Sequence, residues 1–428
     1  MKNKNANYFD EYILTLKTLV SFRSVAGEKI SGAPFGKDVR GALRFFLDTA
    51  RDMGFTVTDY DGYAGEISFG SGEEVGIIGH IDVVPEGGGW NTEPYTLTLK
   101  DGEYCGRGVL DDKGPLLASL FALKELKDSG VSPKRKFRLF IGTNEETGWK
   151  DAEYLKAHTT LPEYGFSPDG NFPVSYAEKG MAVVGFKIPA LKNFYDLKGG
   201  TVINAVCDYS RAKSKIKPDE KLLKKYGLKY NGKEIESFGK AAHGSRPDLG
   251  KNAIKPLFEY FKACGEDVGD VIDCLFNDRG NLKNFKTEQG DITFSPDLLY
   301  EKDGYVYIKC DCRFPYPIEE KTLTSVFDTF GLDYEMTVKH GTQYVEKDGF
   351  LVKTLLSAYK SVMGGDPKPI SQGGSTFARV FKKGVAFGPE FPDLPSTIHE
   401  PNERVKKEDL EKIYEIYKKA IFSLAKGE

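Results

Sequence analysis

Val75-Gly76-Ile77-Ile78-Gly79-His80-Ile81-Asp82-Val83-Val84 reads as a buried β-strand run that carries polar groups near its end. The run is short, apolar on both faces and broken by glycines, the pattern of a strand covered on two sides. Residues 80 and 82 project to one face, so a carboxylate stands beside an imidazole. That arrangement suits a metal-binding histidine steadied by an acid. Taken alone, it suits a self-satisfied buried His–Asp pair equally well.

Working outward, helix and strand signals alternate. Apolar residues at helical spacing run from Phe9 to about Phe22 and from Val39 to Met53, with Leu43, Phe46 and Leu47 on one face. Tyr95–Lys100 alternates like a strand, Leu116–Leu126 is a strongly apolar helix, and Phe137–Ile141 is a further strand. This order predicts an α/β domain with helices on both faces of a mixed sheet. The character changes after Lys179. From Met181 to about Thr342, strands (Val183–Ile188, Tyr305–Cys312) mix with helices (Asp219–Tyr226, Ala253–Cys264) and lysine-rich connections. The expected organisation is a first domain over 1–180 and 343–428, interrupted by an inserted α+β domain over 181–342. Helices at Phe350–Met363 and Asp409–Leu424 close the chain.

Composition narrows the function. The chain has 428 residues, with 60 Lys and Arg against 63 Asp and Glu, a net charge of −3 with no long block of one sign. That balance offers no footprint for nucleic acid and no polybasic membrane signal. No apolar run approaches the ~20 residues of a membrane span, and no secretory h-region follows the first residues. A cytoplasmic protein is expected. Six scattered cysteines predict reduced thiols and no disulfide framework, with Cys310 and Cys312 packed under one face of a sheet.

Of five histidines, His80, His243 and His399 lie in dense polar-glycine clusters. Gly106-Arg107-Gly108-Val109-Leu110-Asp111-Asp112-Lys113-Gly114 leads into a helix, where paired carboxylates bind metal or simply cap the helix. Gly142-Thr-Asn-Glu145-Glu146-Thr-Gly148 follows a strand, and its glutamates are either functional or solvated loop charges. Ser167-Pro-Asp169-Gly170 contains a turn, and Ile398-His399-Glu400-Pro401-Asn402-Glu403 is a polar loop far downstream. Together these give His, Asp, Glu, Asp and His at strand ends or in the loops after them. Ligands of open α/β sheets bind at such ends. Mixed imidazole and carboxylate donors without thiolate suit Zn²⁺ or Mn²⁺.

These clusters resemble those of the co-catalytic di-zinc hydrolases that include aminoacylases, carnosinases and bacterial dipeptidases. The likeness is strongest to the PepV-type bacterial dipeptidases. It extends through Pro34-Phe35-Gly36, Tyr60-Asp61-Gly-Tyr63-Ala64-Gly65, His80-Ile-Asp82-Val-Val-Pro85, Gly89-Trp90 and Gly148-Trp149. It continues in Phe166-Ser-Pro-Asp169, Glu178-Lys-Gly180 and Gly373-Gly374-Ser375-Thr376, so it covers essentially the whole chain. The resemblance implies a mixed-sheet di-metal hydrolase domain with an inserted lid. One metal takes His80, Asp111 and Asp169; the other takes Asp111, Glu146 and His399. Two Zn²⁺ are implied, with Mn²⁺ or Co²⁺ as alternatives.

By the same resemblance Glu145 is the general base, Asp82 orients His80, and a cis peptide follows Asp111. In the lid, His243 contacts the scissile carbonyl, Asn204 faces the substrate, and Arg313 receives its carboxylate. Gly374 and Ser375 lie on the substrate-binding run, where relatives often carry a further glycine in place of Ser375. The implied activity is hydrolysis of unblocked dipeptides by a monomer with no nucleic-acid or membrane partner. Deacylation of N-acyl amino acids, or metal binding without turnover, are the alternatives.

Overall fold

The computed structural model describes residues 8–427, and the chain divides into two units. The first comprises residues up to Tyr176, Tyr344–Ile370 and Thr376 onward; the second comprises Ala177–Gln343 together with Ser371–Ser375.

The first unit is built on the strand that opens the sequence reading. Strand Glu73–His80 pairs parallel with Arg135–Gly142 on one side and Tyr164–Ser167 on the other. Lys383–Ala386 extends the parallel set beyond Tyr164–Ser167. On the opposite edge Ala64–Phe69 and then Thr56–Tyr60 add antiparallel, so the sheet is mixed. Val75, Ile77 and Ile78 are fully buried, as a two-sided strand requires. The strand ends at His80: Ile81 N–H makes the last bond to the neighbouring strand, at the Gly142 carbonyl, and Val83 N–H turns to the Ser24 carbonyl instead.

Helix Lys113–Asp128 is buried at every position from Lys113 to Leu123. It packs on the His80 strand and against helices Tyr8–Val20 and Lys407–Lys426. Aromatic rings fill that junction: Tyr12 lies 6.0 Å from Phe121 and 5.5 Å from Tyr414. Helices Lys37–Asp52, Lys150–His158 and Phe350–Met363 complete this unit. One expected strand is shorter than its alternation suggests. Only Thr98–Lys100 is extended, because Thr96 donates to the Glu93 carbonyl in a turn and Pro94 accepts from Arg107 N–H.

The second unit holds an eight-stranded antiparallel sheet among the described residues. Its long strands are Gly180–Pro189, Thr293–Lys302 and Tyr305–Phe314. Phe186, Leu257, Phe258, Phe261 and Phe327 form its core beneath helices Ile254–Ala263 and Glu320–Asp328. Cys310 and Cys312 are both in that core, and all six cysteines are free thiols. Among the described residues no helix is long and apolar enough to cross a membrane.

Candidate functional site

Three adjacent parallel strands of the first unit end side by side, and their following residues carry the polar clusters. His80 ends one strand and pairs in register with Gly142, which ends the next; Thr143–Glu146 follow at once. Asp169 lies two residues beyond the third strand, Tyr164–Ser167. Asp111 comes from the loop before helix Lys113–Asp128 and His399 from the late loop, where its own φ is +61°.

These five side chains meet. His80 Nε2 lies 3.0 Å from Asp111 Oδ1 and 3.7 Å from Asp169 Oδ2. His399 Nε2 lies 2.8 Å from Asp111 Oδ2 and 3.1 Å from Glu146 Oε2. Asp111 thus turns one oxygen to each imidazole. Ligand atoms of His80, Asp111 and Glu146 all fall within 4.8 Å of one another. The peptide bond between Asp111 and Asp112 is cis.

Charge shows what the cluster lacks. Burial opposes a charged His80, yet Asp111, Asp169 and Asp82 push its pKa well above the ordinary histidine value. Burial likewise opposes a charged His399, but Asp111 and Glu146 hold it at about 11. Burial and the neighbouring Asp111 raise Glu146 to about 7. Burial, then Asp169, Glu146 and Asp111, push Glu145 well up despite the opposing His80. Acids therefore outnumber cations in this cluster, and His80 Nε2 is buried without a well-formed hydrogen bond. Such a set of nitrogen and oxygen donors fits divalent cations.

The surrounding contacts position these groups. Asp82 gives its two carboxylate oxygens to the backbone N–H groups of Glu145, at 3.2 Å, and Glu146, at 3.1 Å. His80 Nδ1 is nearer the Asp82 carbonyl, at 3.0 Å, than its carboxylate, at 3.5 Å. Asp82 therefore steadies His80 through its backbone and the glutamate loop through its side chain. Asp151 Oδ2 accepts from Thr143 N–H at 2.6 Å and Asn144 N–H at 2.8 Å, holding the same loop from behind. Trp149 Nε1–H donates to Glu145 Oε1 at 3.1 Å. Asp112 stands at the helix N-cap position but makes no capping bond; it accepts from His80 N–H at 3.2 Å. Gly79 is obligatory there, since a Cβ would fall on the Asp112 carboxylate.

The remaining expected residues gather in the second unit. Gly244 N–H donates to the Asn204 carbonyl at 2.7 Å, and His243 bridges Ala205, so Asn204 and His243 are neighbours. His243 Nδ1 lies 2.7 Å from Ser245 Oγ. Arg313 is gripped by Asp311: Nε lies 2.8 Å from Oδ1 and Nη2 lies 3.0 Å from Oδ2. Its Nη1 faces the Gly373 carbonyl at 3.4 Å. A Cβ on Gly373 would press on Ser245 at 2.8 Å, whereas one on Gly374 would meet nothing within 4 Å. The hydroxyl of Ser375 is buried without a partner.

Residues 76–423 match the model of peptidase family M20/M25/M40. The chain belongs to that family. A relative from Bacillus subtilis named "Putative dipeptidase YtjP" is 31% identical over 453 residues, covering 97% of this chain and 98% of its own. Human carnosine dipeptidase 1 shares the fold, with a TM-score of 0.61 at 15% identity, over 97% of this chain and 96% of that one. The Bacillus subtilis YXEP protein, described as a dinuclear metal-binding peptidase of the M20 family, superposes with a TM-score of 0.54 at 11% identity. That match covers 98% of this chain and 100% of the neighbour. The mixed sheet with an inserted antiparallel unit is thus the M20 architecture. In this M20 peptidase Asp151 and Trp149 hold the glutamate loop, and Glu403 accepts from Asp111 N–H at 3.1 Å while pairing with Arg107, contacts that sequence reasoning did not assign; Asp112, read there as a metal ligand or helix cap, accepts from His80 N–H. Glu403, Arg107 and Trp149 stood inside the quoted clusters, but spacing alone carries no sign of what they hold.

Proposed function

We propose that this chain is a dinuclear metallodipeptidase that hydrolyses unblocked dipeptides. The observation that carries the reading is the meeting of two imidazoles and three carboxylates around Asp111, whose oxygens face different histidines. His80, Asp111 and Asp169 would hold one cation, and Asp111, Glu146 and His399 the other. Zn²⁺ suits these donors, and Mn²⁺ or Co²⁺ can share them. Bound cations supply Lewis acidity for the substrate carbonyl and a lowered pKa for water at the site.

The chain's own residues do the rest. Glu145, half-buried and held by Trp149, accepts a proton from the attacking water and passes it to the departing amine. Asp82 and Asp151 keep the glutamate loop in place through four backbone hydrogen bonds. His243 and Asn204 recognise the peptide group, Arg313 pairs with the free carboxylate, and Gly374 and Ser375 offer backbone and hydroxyl donors. The relatives' dipeptidase names support this substrate class. Six free thiols support a reducing, cytoplasmic setting. We assign the active form as a monomer. Mixing inactive Glu145→Gln and His243→Ala chains should therefore restore no activity, and recovery would reject that assignment.

The test of substrate class uses metal-reconstituted protein against free dipeptides, dipeptide amides and N-acetyl amino acids. Free dipeptides should be cleaved fastest. Preferential cleavage of N-acetyl amino acids would replace this reading with deacylation, and no turnover of any would leave a metal-binding protein.

A further inference from the structure

Arg107 and Glu403 are 1% and 0% exposed and lie 296 residues apart in the chain. Each carboxylate oxygen of Glu403 accepts two hydrogen bonds. Oε2 takes Arg107 Nη1 at 3.0 Å and Gly108 N–H at 2.9 Å. Oε1 takes Leu110 N–H at 2.9 Å and Asp111 N–H at 3.1 Å. The Glu403 carbonyl accepts from Gly106 N–H at 3.0 Å. The far end of the guanidinium is also occupied. Arg107 Nη2 reaches the carbonyls of Pro85 at 3.4 Å and Glu86 at 3.5 Å, and the group sits 5.3 Å from the Trp90 ring centre. Asn402 adds a second tie, accepting from Asn91 N–H at 2.6 Å and donating to the Gly89 carbonyl at 3.0 Å.

One ion pair therefore joins three loops: the one after His80, the one that carries Asp111, and the one that carries His399. Stability alone does not call for this. Burying two charges is costly, and an apolar pair of similar volume often serves a core as well or better. What an apolar pair cannot do is fix the backbone N–H groups of Gly108, Leu110 and Asp111 in a ligand loop. Groups that orient metal ligands from behind typically change metal affinity 10–100-fold when lost.

We propose that Arg107 and Glu403 are positioning residues, which set Asp111 and His399 relative to each other and to His80 and thereby the affinity and geometry of the metal pair. The proposal rests on the dinuclear reading above. Its test titrates metal-free protein with Co²⁺, following absorbance and stoichiometry, beside thermal unfolding of the metal-free chain. Glu403→Gln keeps the size, but its amide nitrogen cannot accept the hydrogen bonds given to one of the two oxygens. It should weaken at least one Co²⁺ position by about 10–100-fold and alter the Co²⁺ spectrum. Arg107→Lys keeps the charge but not the two-ended fork, and should show a smaller loss of the same kind.

The control is Glu66→Gln. It breaks the buried Arg138–Glu66 pair of the same unit, whose atoms lie 2.7 Å apart and which is tied to no metal-facing loop. It should lower unfolding temperature and leave the Co²⁺ titration unchanged. Wild-type affinity and spectrum in Arg107→Lys and in folded Glu403→Gln would overturn the proposal, and Arg107→Lys alone decides if Glu403→Gln does not fold. Fewer than two Co²⁺ on the wild-type chain would remove the dinuclear reading and this proposal with it. A normal pair of variants against a two-ion wild type would remove this proposal alone.

Discussion

Each unit of the molecule buries an arginine–carboxylate pair beside its polar cluster, and the two pairs spend their hydrogen bonds differently. In the first unit Glu403 divides its oxygens between Arg107 and three backbone N–H groups, and the other end of Arg107 is closed by two carbonyls and an indole. In the second unit Asp311 spends both oxygens on Arg313, and Nη1 of that arginine has only the 3.4 Å approach of the Gly373 carbonyl. Both terminal nitrogens of Arg107 are engaged, although its buried Nε has no hydrogen-bond partner, whereas terminal Nη1 of the buried Arg313 has a single long contact. Burial of an ion pair therefore says little about its role until the remaining donors are counted.

Under the proposed function, residues of the first unit carry the chemistry and Arg313 binds the substrate carboxylate, and kinetics can separate the two roles. The largest effect belongs to Glu145→Gln. Loss of a general base should cut kcat by about 10²–10⁴-fold with metal content intact. A variant within about threefold of wild type would take the chemistry away from this glutamate. Next comes Arg313→Ala, which should raise KM for free dipeptides by about 10–100-fold, the scale of a charge-assisted hydrogen bond. Dipeptide amides, lacking the carboxylate, should be affected far less. If kcat falls and KM holds, the division between the units collapses.

Asp311→Asn sharpens the contrast, since it leaves Arg313 present but less firmly aimed. A KM rise smaller than that of Arg313→Ala is expected, and an equal or larger one would make Asp311 the group that matters. The smallest effect concerns Asp297, buried with Oδ2 unpartnered while Ser295 Oγ–H donates to Oδ1 at 2.6 Å. Burial, with the nearby Asp311, raises its carboxyl to about 8 despite the opposing Ser295 and Arg313. A folded-state value above the unfolded one means that its protonated form is favoured on folding. That contribution is complete below about pH 4 and is lost as pH rises from there through about 8. Asp297→Asn should therefore unfold with less pH dependence than wild type between pH 6 and 9. Parallel profiles would show that Asp297 is ionised throughout.

Much of this was legible in local pattern. The Val75–His80 strand, the alternation around it and the helices Lys113–Asp128 and Phe350–Met363 follow from apolar periodicity. The metal-facing residues stood out because histidine is scarce here and strand ends collect ligands. Arg107 and Glu403 did not stand out, because a tie between loops 296 residues apart leaves no periodic trace. The side-chain role of Asp82 was hidden for a related reason. Strand alternation places its carboxylate beside His80, but the chain leaves the sheet after Ile81, and the carboxylate turns to the glutamate loop instead.

The central claim is that Asp111 bridges two cations, and metal stoichiometry tests it most directly. Wild-type protein saturated with Zn²⁺ and freed of excess should retain two ions per chain, and Asp111→Ala, treated identically, should retain neither firmly. One ion or fewer on the saturated wild type, or two held undiminished by folded Asp111→Ala, would contradict the account.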